Sequence, residues 1–263
     1  MLHKILFAIR YIKYFISARF YYGHGVHSPF LYRFVRSVLF TRRKNNNYRL
    51  VKKVLKAYKK NKNVVFINDF GAGSKTNASD SRTIRDIAIN TSTRKKYGNI
   101  LSRIVDYFNV ENALELGTAL GIGSLYIAGS GKVKLHTIEG DKSLYSVAKS
   151  TFEQLGLKNI ITYHGTFENV LPGILDKINN LDLVYFDGNH TKEATLNYFK
   201  LCLNKVHNDS VFVFDDIHWS ENMEQAWEEI RKHSKVEVSV DLFQMGIIFF
   251  RKELSKEHYI IRY

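Results

Sequence analysis

Along residues 99–263, short apolar runs alternate with segments in which apolar residues recur every three or four positions. A short apolar run is typical of a buried strand, and the three-to-four spacing is typical of an amphipathic helix. Strands that alternate with helices predict an α/β fold in which a doubly wound, mainly parallel sheet carries helices on both faces. The predicted strands are 113–116, 134–138, 160–163, 181–186, 210–214, 236–242 and 246–251, and the helices between them are 124–129, 142–155, 167–178, 191–206 and 221–233.

The first 98 residues follow a different pattern, which predicts a basic, largely helical extension or cap ahead of a domain at residues 99–263. Helices are predicted at 2–17, 29–39, 48–61, 81–90 and 97–108. The first helix has two possible roles: its apolar face inserts into a lipid interface, or it packs on the domain or on a second copy in a homodimer. We favour packing. Spacings of three and four predict the apolar face: Leu2, Ile5, Ile9, Ile12 and Ile16, widened by Phe7, Tyr11 and Tyr14.

The charge of the chain is concentrated at its N-terminal end. The formal net charge is +14, and sixteen of the 39 Lys and Arg residues lie within residues 1–62, which contain no Asp or Glu. The rest of the chain holds all 25 acidic residues and is close to neutral. Such asymmetry predicts a polyanionic partner, either a nucleic acid or an anionic membrane surface.

Two further features bound the cellular setting. A single cysteine, Cys202, excludes an intramolecular disulfide and is typical of a reducing compartment. No run of eighteen apolar residues is present, and Arg10 and Lys13 interrupt the N-terminal apolar stretch that would otherwise look like a signal peptide. The sequence predicts a cytoplasmic protein, with attachment to the inner face of the membrane as the alternative.

A glycine-rich turn follows the strand at 113–116 and leads directly into a helix. Its glycines are Gly117, Gly121 and Gly123, and such a turn lets the backbone approach a ligand closely while the helix N-terminus offers free N–H groups. The next strand ends at Glu139, sixteen residues after Gly123. An acid at that strand tip is where the ribose of a nucleotide is bound. The combination predicts a nucleoside-cofactor site.

The segment ALELGTALGIG at 113–123 resembles the first motif of the class I S-adenosylmethionine (SAM)-dependent methyltransferases. Its E-L-G-T turn is similar to that of their metal-dependent catechol O-methyltransferase-like branch, and the resemblance covers about residues 99–252. It implies a Rossmann-like sheet of seven strands, the last one antiparallel. It also implies that SAM is bound at Glu115, Gly117, Thr118, Gly121, Glu139, Gly165, Thr166 and Phe167.

Acidic residues follow two neighbouring strands of the predicted sheet. Asp187 comes after strand 181–186, and the pair Asp215 and Asp216 comes after strand 210–214. Crowded carboxylates repel one another unless a cation neutralises them, and oxygen ligands are what Mg²⁺ requires. The resemblance places metal ligands of the catechol O-methyltransferase-like branch at these three positions. The sequence therefore predicts a divalent metal at Asp187, Asp215 and Asp216.

Two histidines are candidates for the base that removes a proton from the acceptor. His190 stands three residues after Asp187, where the resembling branch has a lysine, and an imidazole is suited to proton removal near neutral pH. His218 is the second candidate. Asp187 completes the predicted catalytic set. The histidine in place of lysine departs from the branch and weakens any inference that the acceptor is a catechol.

Two N-terminal motifs carry little functional information. The string HGVHSPF at 24–30 resembles the N-terminus of a set of bacterial methyltransferase-like proteins, which says nothing about substrate. Its His24 and His27 have no Cys or acid nearby to complete a metal set. The run VVFINDFGAGS at 64–74 has the look of a SAM loop, but a polar, turn-rich segment follows it. We interpret this run as a hairpin or a loop beside the substrate.

Three functions are compatible with these features. The first is a SAM-dependent methyltransferase, assisted by a divalent metal, that acts on an oxygen of a small-molecule or lipid acceptor. The second is an RNA methyltransferase that uses the basic arm for phosphate contact and base stacking. The third is a non-catalytic protein with a SAM-binding fold. We favour the first, because no Asn-Pro-Pro-Tyr-like signature of amine methylation follows the strand at 181–186.

Overall fold

The structure is a computed structural model that describes residues 2–41, 47–67 and 81–263. Its centre is a mixed sheet of eight strands, and the strands in the middle of it are apolar runs that are buried on both faces. Two short strands precede it in the chain, β1 (Val64–Phe66) and β2 (Ser81–Thr83). The strands of the central sheet are β3 (Asn112–Leu116), β4 (Lys134–Glu139), β5 (Ile160–His164), β6 (Leu183–Phe186), β7 (Val211–Asp215), β8 (Val238–Asp241), β9 (Met245–Phe249) and β10 (Glu257–Ile260).

The strand order across the sheet is β10-β8-β9-β7-β6-β3-β4-β5. From β5 to β7 all neighbours are parallel, and β9 is antiparallel to both β7 and β8. This confirms the predicted doubly wound sheet and its antiparallel closing strand. The additional strand, β10, pairs in parallel with β8 at the edge and was not predicted. It follows a polar stretch at 252–256 and is not preceded by an apolar run that would predict a strand.

Helices connect the strands and cover both faces of the sheet. Those before the sheet include α1 with an apolar stripe, α2 with Ser28 as N-cap and Pro29 in its first turn, and α4 capped by the hydroxyl of Thr83. The helices are α1 (Leu2–Ser17), α2 (Pro29–Phe34), α3 (Tyr48–Tyr58), α4 (Ile84–Asn90), α5 (Lys95–Phe108), α6 (Ile122–Ala128), α7 (Lys142–Gln154), α8 (Phe167–Leu175), α9 (Lys192–Cys202) and α10 (Glu221–Lys232).

Two hydrophobic cores lie on opposite faces of the sheet. Alternate residues of β6 divide between them: Leu183 and Tyr185 belong to one core, and Val184 and Phe186 to the other. This follows from the period of two along a strand. The core on the face of Tyr185 also takes in the apolar residues of α2, α3, α4 and α5. Residues on both sides of position 98 therefore share one core.

Helix α1 is held on the domain by one side only. The Tyr14 hydroxyl donates a hydrogen bond to the Ile261 carbonyl at 2.5 Å, and the Phe7 ring lies 5.2 Å from that of Phe243. Phe7 and Tyr14 were predicted to widen the isoleucine face, and that prediction is wrong. At 100° per residue both project from the opposite side, where they pack on the domain, whereas Ile9 and Ile12 remain exposed.

The segment after α3 forms a small antiparallel ribbon. β1 and β2 pair with each other, from Val64 opposite Thr83 to Phe66 opposite Ser81. This agrees with a hairpin at that point. The predicted helix at 81–90 begins only at Ile84, because β2 takes its first three residues. The glycines Gly71 and Gly73 lie outside the described residues.

Among the residues that the structure describes, no helix is long and apolar enough to cross a membrane.

Candidate active site

The glycine-rich turn lies at the carboxyl end of β3, where strand order reverses. From β3 the chain winds outward through β4 and β5 and then returns to β6 on the other side of β3. The crevice at such a switch point is where open α/β sheets bind ligands. Gly117 and Gly121 adopt φ of +107° and +78°, which are accessible to glycine without strain. Ala119 between them is also left-handed, at φ +46°.

Hydrogen bonds to the neighbouring strand fix the shape of the turn. The backbone N–H groups of Gly117 and Thr118 both donate to the carbonyl of Ile138, at 3.1 and 3.2 Å. The Thr118 hydroxyl, which is buried, contacts the Thr137 hydroxyl at 2.5 Å. The turn is therefore tied to β4 before any ligand binds.

Glu115 lies beneath the turn rather than in the crevice. Its carboxylate is fully buried and accepts hydrogen bonds from the hydroxyls of Ser124 and Thr137, the latter at 2.7 Å. Burial raises the pKa of Glu115 to about 7, although both hydroxyls oppose the shift. A side chain at Gly123 would come within 2.5 Å of the carboxylate, so the glycine makes room for the acid. Glu115 therefore supports the turn that was predicted to bind the cofactor.

Glu139 lies at the tip of β4 with its carboxylate turned toward the glycine turn. One oxygen accepts the backbone N–H of Ala119 at 2.7 Å, and the other accepts that of Asp141 at 2.8 Å. Burial raises the pKa of this carboxyl, and the amide hydrogen bonds oppose the rise. Each oxygen of a carboxylate has two acceptor sites, so both retain capacity for a further hydroxyl.

The predicted adenine residues follow β5. Gly165 has φ of +144°, and its N–H donates to the Glu139 carbonyl at 3.0 Å. Thr166 is the N-cap residue of α8, and Phe167 begins that helix. The Phe167 ring meets Tyr198 edge-on at 5.3 Å and lies against Gly188, where a side chain would approach it to 2.9 Å. Phe167 thus borders both the cofactor side and the turn after β6.

The turns after β3 and β6 are in direct backbone contact. A side chain at Gly117 would lie 2.1 Å from the Asp187 carbonyl oxygen, and the Asp187 N–H donates to the Leu116 carbonyl at 2.8 Å. Only a glycine fits at position 117. The contact places the glycine turn beside the segment that carries Asp187 and His190.

The structure brings Asp187, Asp215 and Asp216 together as expected. Burial, then the charges of Asp215 and Asp216, raise the pKa of Asp187 well above its ordinary value. Burial and Asp216 raise the pKa of Asp215 to about 8. All three side chains stay partly exposed, which places them in a recess rather than in the core. Like charges in such a recess must be neutralised by a proton or a cation.

The three carboxylates fit a divalent metal in donor chemistry but not in arrangement. Oxygen donors suit Mg²⁺. In the parts of the chain that the structure describes, however, no group of three or more His, Cys, Asp or Glu side chains is arranged to hold a metal ion.

His190 lies next to this recess. Burial lowers its pKa below the ordinary value, and the charge of Asp216 opposes that shift. The imidazole is consequently neutral at pH 7, which is the form that accepts a proton. Asp216 lies close enough to stabilise the imidazolium that would result.

His218 stays a candidate for the second base, and carboxylates hold both of its ring nitrogens. Its Nδ1 pairs with Glu224 at 2.8 Å, and its Nε2 pairs with Asp241 at 2.7 Å, so both ring nitrogens are engaged. Burial alone would lower the pKa of His218, but the two carboxylates outweigh it and raise the pKa. The ring also stacks on Phe243 at 5.2 Å. His218 therefore links the loop after β7 to α10 and to the end of β8.

Two residues near the carboxylates were missed from the sequence. Burial raises the pKa of Asp216, and the guanidinium of Arg94, just before α5, opposes that rise together with His190. Arg94 also donates to the side chain of Gln244 at 3.3 Å. The backbone carbonyl of Gln244 accepts a hydrogen bond from the backbone N–H of Asp216 at 2.6 Å. No local pattern marks either residue, because both reach Asp216 through tertiary contacts.

Comparison with known proteins agrees with this geometry. Residues 114–217 match a family model described as a methyltransferase domain. A search of the curated proteins found no match. An O-methyltransferase from Bacillus cereus in complex with SAH aligns with a TM-score of 0.55 at 16% identity, over 80% of this chain and 93% of that one.

Two further solved structures have the same architecture. The O-methyltransferase TomG from Streptomyces achromogenes, involved in tomaymycin synthesis and solved with SAM, aligns with a TM-score of 0.53 at 19% identity, over 62% of this chain and 82% of that one. A SAH-bound methyltransferase from Podospora anserina aligns with a TM-score of 0.55 at 13% identity, over 81% and 100%. The fold is that of class I methyltransferases. With the matched domain, this supports the predicted SAM-dependent methyltransferase.

We expect Gly117→Ala to disrupt the cofactor turn. The new side chain would collide with the Asp187 carbonyl and adopt a left-handed φ, a combined cost of about 2–4 kcal/mol. Chemical denaturation and SAM titration by calorimetry measure the loss. Gly131→Ala is the matched control: Gly131 also has a left-handed φ, of +80°, but faces open space, so it should lose only about 1 kcal/mol and bind SAM normally. Equal effects of the two variants would contradict the contact.

The buried Glu115 carboxyl should make stability fall as pH rises. The pKa of Glu115 is raised from 4.5 to about 7 in the folded protein. Between pH 4.5 and pH 7 the folded state therefore binds more protons than the unfolded state, and the free energy of unfolding falls by about 3 kcal/mol as pH rises through this range. Glu115→Gln removes this term. The free energy of unfolding of the original protein minus that of the variant is measured by urea denaturation without ligand at pH 5 and pH 8. This difference should be lower at pH 8 than at pH 5. A difference independent of pH would show that Glu115 does not titrate.

Proposed function

We propose that this chain is a SAM-dependent O-methyltransferase of the catechol O-methyltransferase-like branch in which His190 acts as the base. The observation that carries the proposal is the backbone contact between Gly117 and Asp187. It sets the turn proposed to hold the methyl donor directly beside the turn that carries the proposed base. The solved O-methyltransferases with SAM or SAH bound lend the fold-level support.

The cofactor residues are proposed from their positions around the switch-point crevice. The free acceptor sites of Glu139 suit the two ribose hydroxyls, and Phe167 offers a ring face near the predicted adenine position. Gly117, Thr118 and Gly121 would contact the methionine end through their backbone, since the Thr118 side chain is buried. When bound, SAM supplies an activated methyl group, so the protein's task is mainly positioning and deprotonation.

His190 is suited to the deprotonation. An acceptor hydroxyl entering the recess would pass its proton to the neutral imidazole, and its oxygen would then supply the electron pair of the new C–O bond as the C–S bond of the sulfonium breaks and its electron pair stays on sulfur. The resulting imidazolium is stabilised by Asp216. The positive charge of Arg94 also acts on Asp216 and partly offsets the negative charge there.

A divalent cation is the second part of the proposal, and no step above depends on it. The support is the mutual repulsion of Asp187, Asp215 and Asp216 together with the family resemblance. The described side chains are not arranged as a finished site, so uptake of a cation would require them to rearrange.

His190→Ala should reduce methyl transfer about 10²–10⁴-fold, which is the usual contribution of a general base, and leave SAM affinity nearly unchanged. The assay is label transfer from methyl-tritiated SAM into a host-cell extract, separated into RNA, lipid, protein and small molecules. Because the pKa of His190 lies below 6.5, the rate should fall only as pH drops through that lowered pKa and should stay level near neutrality. His207→Ala is the control, since His207 pairs with Asp182 at 2.8 Å, away from the site.

Full activity of His190→Ala would refute the base. Label in RNA instead of small molecules or lipid would favour the RNA methyltransferase. A protein that binds SAM but labels no fraction would favour the non-catalytic alternative.

The cation is tested separately with Mg²⁺ and EDTA. If the carboxylates take up Mg²⁺, the ion should raise the melting temperature of the original protein and not that of Asp187→Asn, and EDTA should suppress transfer. Asp176→Asn, on the surface at the end of α8, is the control for a general charge effect. Full transfer in EDTA with no Mg²⁺-dependent shift would remove the cation and leave the His190 proposal standing.

A further inference from the structure

The isoleucines of α1 form an exposed apolar stripe. Four of them, at spacings of four, three and four, lie on one side of the helix. The exposed fractions are 51% for Ile5, 43% for Ile9, 56% for Ile12 and 74% for Ile16. Several aliphatic side chains exposed together on one helix face are unusual for a soluble surface and mark a contact site.

The stripe lies opposite the side by which α1 is attached. At 100° per residue, the four isoleucines centre about 180° away from Phe7, Tyr14 and Ala18, which face the domain. The attachment is completed by an ion pair between Arg10 and Glu224 at 2.9 Å. The helix is therefore held in place with its aliphatic side turned outward.

Basic residues flank the stripe. Lys13 and Arg19 are exposed next to it, and the guanidinium of Arg262 lies 4.2 Å from the centre of the exposed Phe15 ring. The whole segment at 1–62 has sixteen basic residues and no acidic one. The surface thus combines aliphatic side chains with positive charge.

We propose that this face of α1, the isoleucine stripe with Lys13, Arg19 and Arg262, docks on an anionic lipid bilayer. Aliphatic side chains gain free energy by entering the acyl boundary, while Lys and Arg are attracted to anionic headgroups. A second copy fits less well, because pairing through α1 would bring two acid-free, cationic segments together. RNA fits less well too, since its bases stack on aromatic rings and find no partner in isoleucine.

Docking would turn the strand-tip site toward the bilayer. The centre of the Phe7 ring lies 6.0 Å from that of Trp219, in the loop after β7, and 5.2 Å from that of Phe243, in the loop after β8. β8 runs parallel to β7, so both loops lie at the edge of the sheet that carries Asp216. If the proposed function holds, the acceptor is a lipophilic molecule drawn from the membrane.

Vesicle sedimentation of the full chain, without SAM or acceptor, tests the docking alone. Vesicles of phosphatidylcholine with phosphatidylglycerol should bind the protein at least roughly tenfold more tightly than phosphatidylcholine alone, and added salt should weaken binding. The triple variant Ile9→Ser/Ile12→Ser/Ile16→Ser should lose roughly tenfold or more in affinity while circular dichroism shows an unchanged fold. Lys13→Glu/Arg19→Glu should lose the preference for the anionic vesicles.

The matched control is Val64→Ser/Phe66→Ser/Ile89→Ser, three residues as exposed as the isoleucines but distant from α1 in sequence. This variant should bind vesicles as the original protein does. Unchanged binding by the isoleucine variant, or equal loss in the control, would overturn the proposal. So would a lipid-free dimer in light scattering that the isoleucine variant abolishes, which would assign the stripe to a second copy. None of these outcomes depends on methyl transfer.

Discussion

The arrangement of the site depends on one backbone contact at the centre of the sheet. β3 lies between β4 and β6 in the sheet. After β3 the chain continues to β4 on one side of it and returns later to β6 on the other side. The turn that follows β3 therefore lies between the ends of β4 and β6. Gly117 makes this possible, because the Asp187 carbonyl occupies the space that a side chain would fill. A substitution at this position would therefore disturb both the packing of the sheet and the candidate site.

Buried acids are the second constraint on this end of the sheet. Glu115, Asp187 and Asp215 all have raised pKa values, with burial as the first cause in each case. Glu115 is relieved in part by two hydroxyl donors beneath the turn. The hydroxyl of Tyr185 likewise opposes the rise at Asp187 and Asp215, which sit in a partly open recess. Several carboxyl groups with raised pKa values at one end of a sheet are typical of a site that binds protons or cations.

Much of the sheet could be predicted from the sequence because its information is local. Seven strands of the central sheet are visible in the sequence as apolar runs, and the glycines with Glu139 predict which end of the sheet binds the cofactor. β10 could not be found in this way, since its four residues depend on β8 for pairing. The sequence offers His218 as a candidate base but does not show its partners, Glu224 and Asp241, which folding brings to it. Arg94 was missed for the same reason.

Helix α1 shows a different limit of sequence reasoning. Its spacing predicted a helix from Leu2 to Ser17, which the structure confirms, yet it could not divide the apolar residues between two faces. Aromatic Phe7 and Tyr14 anchor the helix because their rings and a hydroxyl find partners in the loops around Phe243 and Ile261. Isoleucine offers only aliphatic surface, and it remains outside. The division leaves a cationic, aliphatic surface on a helix that packs against the loops carrying Asp216 and Gln244.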